Sequence, residues 1–138
     1  LGKHQVFGYQ VEIAPQKKMG LWHHSLLTKD DPAHAARFFM ATAGQEVTIS
    51  ADGKKTVKQV AAQETLVAHC REGWNTMEII AEGNTLTQKI NGVIFSKVSD
   101  DDRRLSRRKG VIALQDHGKG CLVAFRNIRI KEQSRDEK

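Results

Sequence analysis

The sequence predicts an all-β sandwich with one short helix, and three observations predict it. Val6 to Ile13 alternates apolar and polar side chains in the manner of a half-buried strand. Tight-turn signals, Glu82-Gly83-Asn84 and Asn91-Gly92, separate apolar runs too short to be helices. Only Ala61 to Cys70 joins good helix formers to an apolar stripe, with Leu66, Val67 and Cys70 on one side.

Taken in order, Phe7, Tyr9, Val11 and Ile13 form the expected core face of the first strand, leaving Gln10 and Glu12 on the other face. Pro15 and the Lys17-Lys18 loop end it. Met19 to Leu27 reads as an apolar and aromatic strand with Trp22, His23 and His24 at its middle, and Lys29-Asp30-Asp31-Pro32 breaks the pattern. Arg37 to Ala41 and Gln45 to Ser50 are short strand candidates, followed by an Ala51-Asp52-Gly53 turn. The helix over Ala61 to Cys70 is short enough to cap an edge or end of a sheet.

Thr76 to Ala81, Thr85 to Ile90 and the strand from Val93 form a meander. A two-residue Asn91-Gly92 turn pairs Ile90 with Val93, Gln88 with Phe95 and Leu86 with Lys97. Leu86, Gln88, Ile90, Val93 and Phe95 then share the apolar face. A last hairpin is expected from Val111 to Leu114 and Leu122 to Phe125 around a polar elbow, with Ile112 and Leu114 toward the core and Gln115 and His117 outward. Val123 and Phe125 are out of phase with Ile128 and Ile130, so a bulge or bend near Arg126-Asn127 is expected. The tally is roughly ten short strands at most.

The chain has room for one domain, placed over residues 1–132, with a frayed polar tail at 133–138. No apolar run reaches the ~18 residues of a membrane-spanning helix, so no membrane is expected. Residue 1 is Leu and no charged-then-apolar leader is visible, which reads as a mature or trimmed fragment. The net charge of +6 sits largely in loop-like runs such as Arg103-Arg104 and Arg107-Arg108-Lys109. No zinc-finger, helix-turn-helix or RNA-recognition pattern accompanies it, so no nucleic-acid partner is expected. Cys70 and Cys121 fit one disulfide or two buried thiols equally well.

The order and spacing of Gly73-Trp74-Asn75-Thr76-Met77-Glu78-Ile79, Gly83-Asn84, Asn91-Gly92-Val93, Asp100-Asp101-Asp102, Gly110 to Gly118 and Phe125-Arg126-Asn127-Ile128-Arg129-Ile130 resemble the 3-keto-disaccharide hydrolase domain family. Phe7 to Ile13 is similar to a strand of the same family, so the resemblance covers nearly the whole chain. It implies a concanavalin A-like β-sandwich, or jelly roll, presenting a carbohydrate cleft. It also implies secreted or periplasmic location, a carbohydrate ligand, and cleavage of glycosidic bonds in sugars oxidised at C3. Relatives usually carry strands ahead of the one matching Phe7 to Ile13. The resemblance therefore implies a sheet whose N-terminal strands are missing, cut away, or supplied by a partner chain or dimer.

That chemistry needs a base for the C2 proton, an electrophile for the enolate oxygen and an acid for the leaving group. An ordinary glycosidase needs two flanking carboxylates instead, and the phase of the last hairpin turns Asp116 away from His117. His117 is the leading candidate for base or metal ligand, being an imidazole at a strand end beside glycines, and Glu12 is the second catalytic candidate. Gln10, Gln115, Trp22 and His24 are the candidate substrate-binding residues: the amides for sugar hydroxyls, Trp22 for stacking, and one of two adjacent imidazoles that point to opposite faces. No cofactor is indicated by a ligand pattern, although a divalent metal is compatible with the set. Asp100 to Asp102 reads as a solvated acidic turn or a calcium-binding run. The competing class is a non-catalytic carbohydrate-binding or interaction module on the same fold.

Overall fold

A computed structural model of the chain describes residues 6–13, 19–24, 29–31, 33–115, 118, 120 and 122–132. Among them, eight strands and two short helices follow in the order β1 (Gly8–Glu12), β2 (Gly20–His24), α1 (Ala33–Phe38), β3 (Phe39–Thr42), β4 (Gln45–Ile49), β5 (Lys55–Gln59), α2 (Gln63–Val67), β6 (Met77–Glu82), β7 (Thr85–Ile90) and β8 (Val93–Asp100). The strands form two sheets, ordered β1-β2-β3 and β5-β4-β8-β7-β6. Every pairing is antiparallel except β4 with β8.

The sheets pack face to face, as the alternation requires. Leu21, Met40 and Ala41 of the first sheet meet Val47, Ile49 and Val98 of the second, with Tyr9, Val11 and Leu86 against their edges. The protein is thus the all-β sandwich that the sequence predicts. A second cluster, Met19, Ala43, Leu66, Ile90 and Phe95, lies where α2 caps the sandwich. This places Leu66, with Cys70 beside it, on the side that the helical stripe foretold. Cys70 carries a free thiol, pushed upward in pKa by burial, and Cys121 lies outside the described residues.

The chain crosses from one sheet to the other at Ala43-Gly44. Gly44 has φ of 86° and receives two N–H groups, from Val60 at 2.8 Å and Ala61 at 3.3 Å, while its own N–H reaches the Phe95 carbonyl at 2.7 Å. A Cβ there would stand 2.2 Å from the Ala61 carbonyl oxygen. Only glycine satisfies both the backbone conformation and the close approach. Lys55 adds a second tie between the sheets, its Nζ donating to the Phe39 carbonyl at 2.6 Å.

The meander forms as expected. Asn91 and Gly92 both have positive φ, 51° and 84°, as the predicted two-residue turn demands. Ile90 pairs with Val93, but a bulge between Gln88 and Lys89 then shifts the register, so that Gln88 faces Ser96 and Leu86 faces Val98. The expected pairs Gln88–Phe95 and Leu86–Lys97 are corrected accordingly. The extra residue lets Phe95 and Ser96, each 1% exposed, both lie inward, and from there on the even-numbered positions of β8 face the core.

Three further expectations change. Arg37 and Phe38 belong to α1 rather than to a strand, which begins at Phe39. Asp100 and Asp102 are buried rather than solvated. The segment after β8 does not form the expected hairpin among the described residues: 110–115 and 122–132 carry no strand, and Ile112 (76% exposed) and Leu114 (54%) face solvent. Alternation states what a strand would bury; it does not name the edge that will accept it.

Candidate functional site

The face of the first sheet turned away from the second collects four of the six candidate residues. Gln10 and Glu12 alternate onto it from β1, and Trp22 and His24 alternate onto it from β2. Directly paired residues share a face, and the register pairs Gln10 with Trp22 and Trp22 with Phe39, setting three residues in one row across the strands. Gln10 Nε2 donates to Glu12 Oε2 at 2.8 Å, so the amide fixes the carboxyl group's orientation. Beside Glu12, the paired position on β2 is Gly20.

Trp22 is 9% exposed, with Phe39 at 4.4 Å and Phe38 at 5.2 Å between ring centroids. It is covered by these rings instead of lying open as a platform. Its indole N–H is buried with no acceptor. His24 is half-buried and meets Phe38 edge-on at 5.7 Å. His24 pairs with Gly8, four residues along β2 from the partner of Glu12, a separation of about 13 Å. Glu12 and His24 therefore cannot serve as an acid and base on one bond. Gln115 is exposed on the segment after β8, and His117, with Asp116, lies outside the described residues. Among the described residues, no group of three His, Cys, Asp or Glu side chains is placed to hold a metal ion.

The opposite, inner face holds a charged cluster that the sequence reading missed. Asp100, at the end of β8, forms a two-pronged ion pair with Arg37 of α1, whose Nη2 donates to Asp100 Oδ1 at 3.1 Å and lies 3.0 Å from Asp102 Oδ2. The Tyr9 hydroxyl donates to Asp100 Oδ2 at 2.6 Å. Asp102 Oδ1 accepts the N–H groups of Arg104 and Leu105 at 2.7 and 3.1 Å. Burial works against the Asp102 charge, but these N–H groups and Arg37 outweigh it and hold the carboxyl below its ordinary range. Burial, with the bond to Asp100, pushes the Tyr9 phenol up to about 12.

His23 stands directly across from Tyr9, edge-on at 5.0 Å, and its buried ring nitrogens make no well-formed hydrogen bond, the Leu105 backbone offering only a weak one. Burial first and the Arg37 charge second push its pKa down to about 4. The cluster is a structural lock. It joins β1, β2, α1 and β8, and burial among them, with the Arg37 charge, keeps His23 neutral.

Two signals in the sequence point to this lock. Asp100 and Asp102 alternate, so both face one way along a continuing strand, and a single cation, Arg37, is enough to bind them. The bulge in β8 hid the first signal by reversing the phase of everything after Phe95.

A family model described as a 3-keto-alpha-glucoside-1,2-lyase-like domain matches residues 1–131. No curated protein and no solved structure gives a match. With nearly its whole length covered, and with the two-sheet architecture in place, the chain belongs to the 3-keto-alpha-glucoside-1,2-lyase-like domain family.

Proposed function

We propose that this domain cleaves 3-keto-glycosides by elimination, with Glu12 as the base that removes the C2 proton. The observation that carries the reading is the Gln10–Glu12 pair on the outer face of the first sheet, in a chain of a family described by 1,2-lyase activity. A ketone at C3 makes the neighbouring C2–H acidic. Glu12 takes that proton, the C2–H electron pair forms the enolate with the C3 oxygen, and the enolate reforms the ketone while expelling the C1 substituent. A C1=C2 double bond conjugated to the ketone remains, and the departing oxygen takes up a proton. Water adding across that double bond would convert the elimination into a net hydrolysis.

Gln10 holds the carboxyl group toward the substrate, as a positioning residue. His117 is the remaining candidate for protonating the leaving group. A glycosidase of the two-carboxylate kind would need a second carboxylate flanking the bond, whereas elimination needs only one base at C2. The domain acts on carbohydrate in this reading, and it works outside the cytoplasm, in the secreted or periplasmic setting where polysaccharide breakdown takes place.

The test is a kinetic isotope effect. A 3-keto-disaccharide deuterated at C2 is expected to react several-fold more slowly than its protiated form, since proton abstraction breaks that bond. Equal rates would sink the elimination mechanism. Saturable binding without any product would instead support a carbohydrate-binding module.

A further inference from the structure

Across the strands from Gln10 the outer face changes character. Phe39 is 42% exposed at the end of the Gln10–Trp22–Phe39 row. Phe38 is half-buried next to it, edge-on at 4.9 Å. His34 stacks on Phe38 with an interplanar angle of 13° and centroids 5.3 Å apart, and His24 meets the same ring edge-on. Four rings thus gather into an aromatic shelf from α1 to β3, with Phe39 and His24 edge-on to Phe38, His34 stacked on it, and Trp22 beneath.

With strands about 5 Å apart, Phe39 lies about 10 Å across the sheet from Gln10. That is the reach of one sugar ring and its linkage. A group attached at C1 of a sugar held at Gln10 and Glu12 would lie over the shelf.

We infer that this shelf is an aglycone subsite that takes a planar aromatic group, so that the preferred substrates are 3-keto-glycosides of phenolic alcohols rather than disaccharides. The inference rests on the proposed placement of the sugar at Glu12. A second sugar would bring several hydroxyl groups onto a surface whose side-chain partners, among the described rings, are two imidazoles; burying hydroxyls without partners costs free energy. A flat aromatic ring brings no such hydroxyls and can pack on the exposed Phe39 ring, a contact worth roughly tenfold in affinity.

The experiment compares phenyl and methyl 3-keto-glucosides with the native chain and with Phe39→Leu, which keeps an apolar side chain but removes the ring. The ratio of kcat/KM, phenyl to methyl, is expected to be well above one and to fall about tenfold in the variant. A ratio near one in the native chain, or one that Phe39→Leu leaves unchanged, overturns the subsite. Binding of phenyl and methyl α-glucoside, followed by Trp fluorescence, separates this failure from failure of the catalytic reading. If neither keto sugar is cleaved, tighter binding of the phenyl glucoside that weakens in Phe39→Leu still supports the shelf, and equal binding of the two refutes it. A melting temperature for Phe39→Leu within a few degrees of the native value is part of the test, and Phe38→Leu serves as the second variant if it is not.

Discussion

Replacing His23 with Leu should make the protein more resistant to acid. In the native chain the imidazole is 3% exposed and its pKa is pushed down to about 4, against 6.5 when the chain is unfolded. Between those values the unfolded chain binds a proton that the folded chain does not. Stability therefore falls as pH drops from about 6.5 to about 4 and levels off below that. A shift of this size corresponds to about 3 kcal/mol, at 1.36 kcal/mol per pH unit. Leu is close to imidazole in volume and has no polar atoms to leave unpaired. The variant should be as stable as the native chain or ~1–3 kcal/mol more stable at pH 7, because two buried ring nitrogens without a well-formed hydrogen bond disappear. Urea unfolding at half-unit steps from pH 7.5 to 4 measures both quantities. A native curve that is flat between pH 6.5 and 4, or a His23→Leu curve with the native slope, would refute the buried-neutral assignment.

Other outcomes follow from the same lock and from the turns. Arg37→Met leaves Asp100 and Asp102 buried without their cation and should cost about 3–5 kcal/mol in urea unfolding, with Asp100→Asn in the same chain restoring part of it. At alkaline pH, stability should fall between about 10 and about 12, where Tyr9 ionises only in the unfolded chain; Tyr9→Phe should remove that slope. Gly44→Ala combines a positive φ with a contact at 2.2 Å and should lower the unfolding free energy in urea by more than the ~1 kcal/mol typical of a strained glycine site. Asn91→Ala loses bonds to the His69 carbonyl and the Asn75 side chain, both 2.8 Å, and one from the Thr76 N–H, so calorimetry should show a drop in melting temperature of several degrees.

The parts of the fold that local chemistry specifies were legible in the sequence. Asn91-Gly92 demanded two positive φ values and so fixed the β7–β8 turn; the alternation at Tyr9 and Val11 fixed the inner face of β1; the stripe ending at Leu66 and Cys70 fixed the side on which α2 docks. What escaped was decided by partners distant in sequence. The run Arg37-Phe38-Phe39-Met40 is apolar enough for a strand, and its first two residues become helical where Arg37 reaches Asp100 and Phe38 meets Trp22. One bulged residue in β8 reversed the inward phase, hiding Asp100 and Asp102. The apolar side chains of the last segment, such as Leu122 at 99% exposed, alternate without pairing to a strand among the described residues.

For the site, the shared face of Gln10 and Glu12 could be read directly from strand parity. The separation of Glu12 from His24, and the rings that cover Trp22, depended on cross-strand register and on α1.

The most direct measurement is the release of free sugar from a 3-keto-disaccharide by the native chain and by Glu12→Gln, with His117→Ala alongside. The account predicts release by the native chain and a loss of at least about a hundredfold in Glu12→Gln, at an unchanged melting temperature. Full activity in Glu12→Gln would contradict it, and if activity were lost only in His117→Ala the base would be His117.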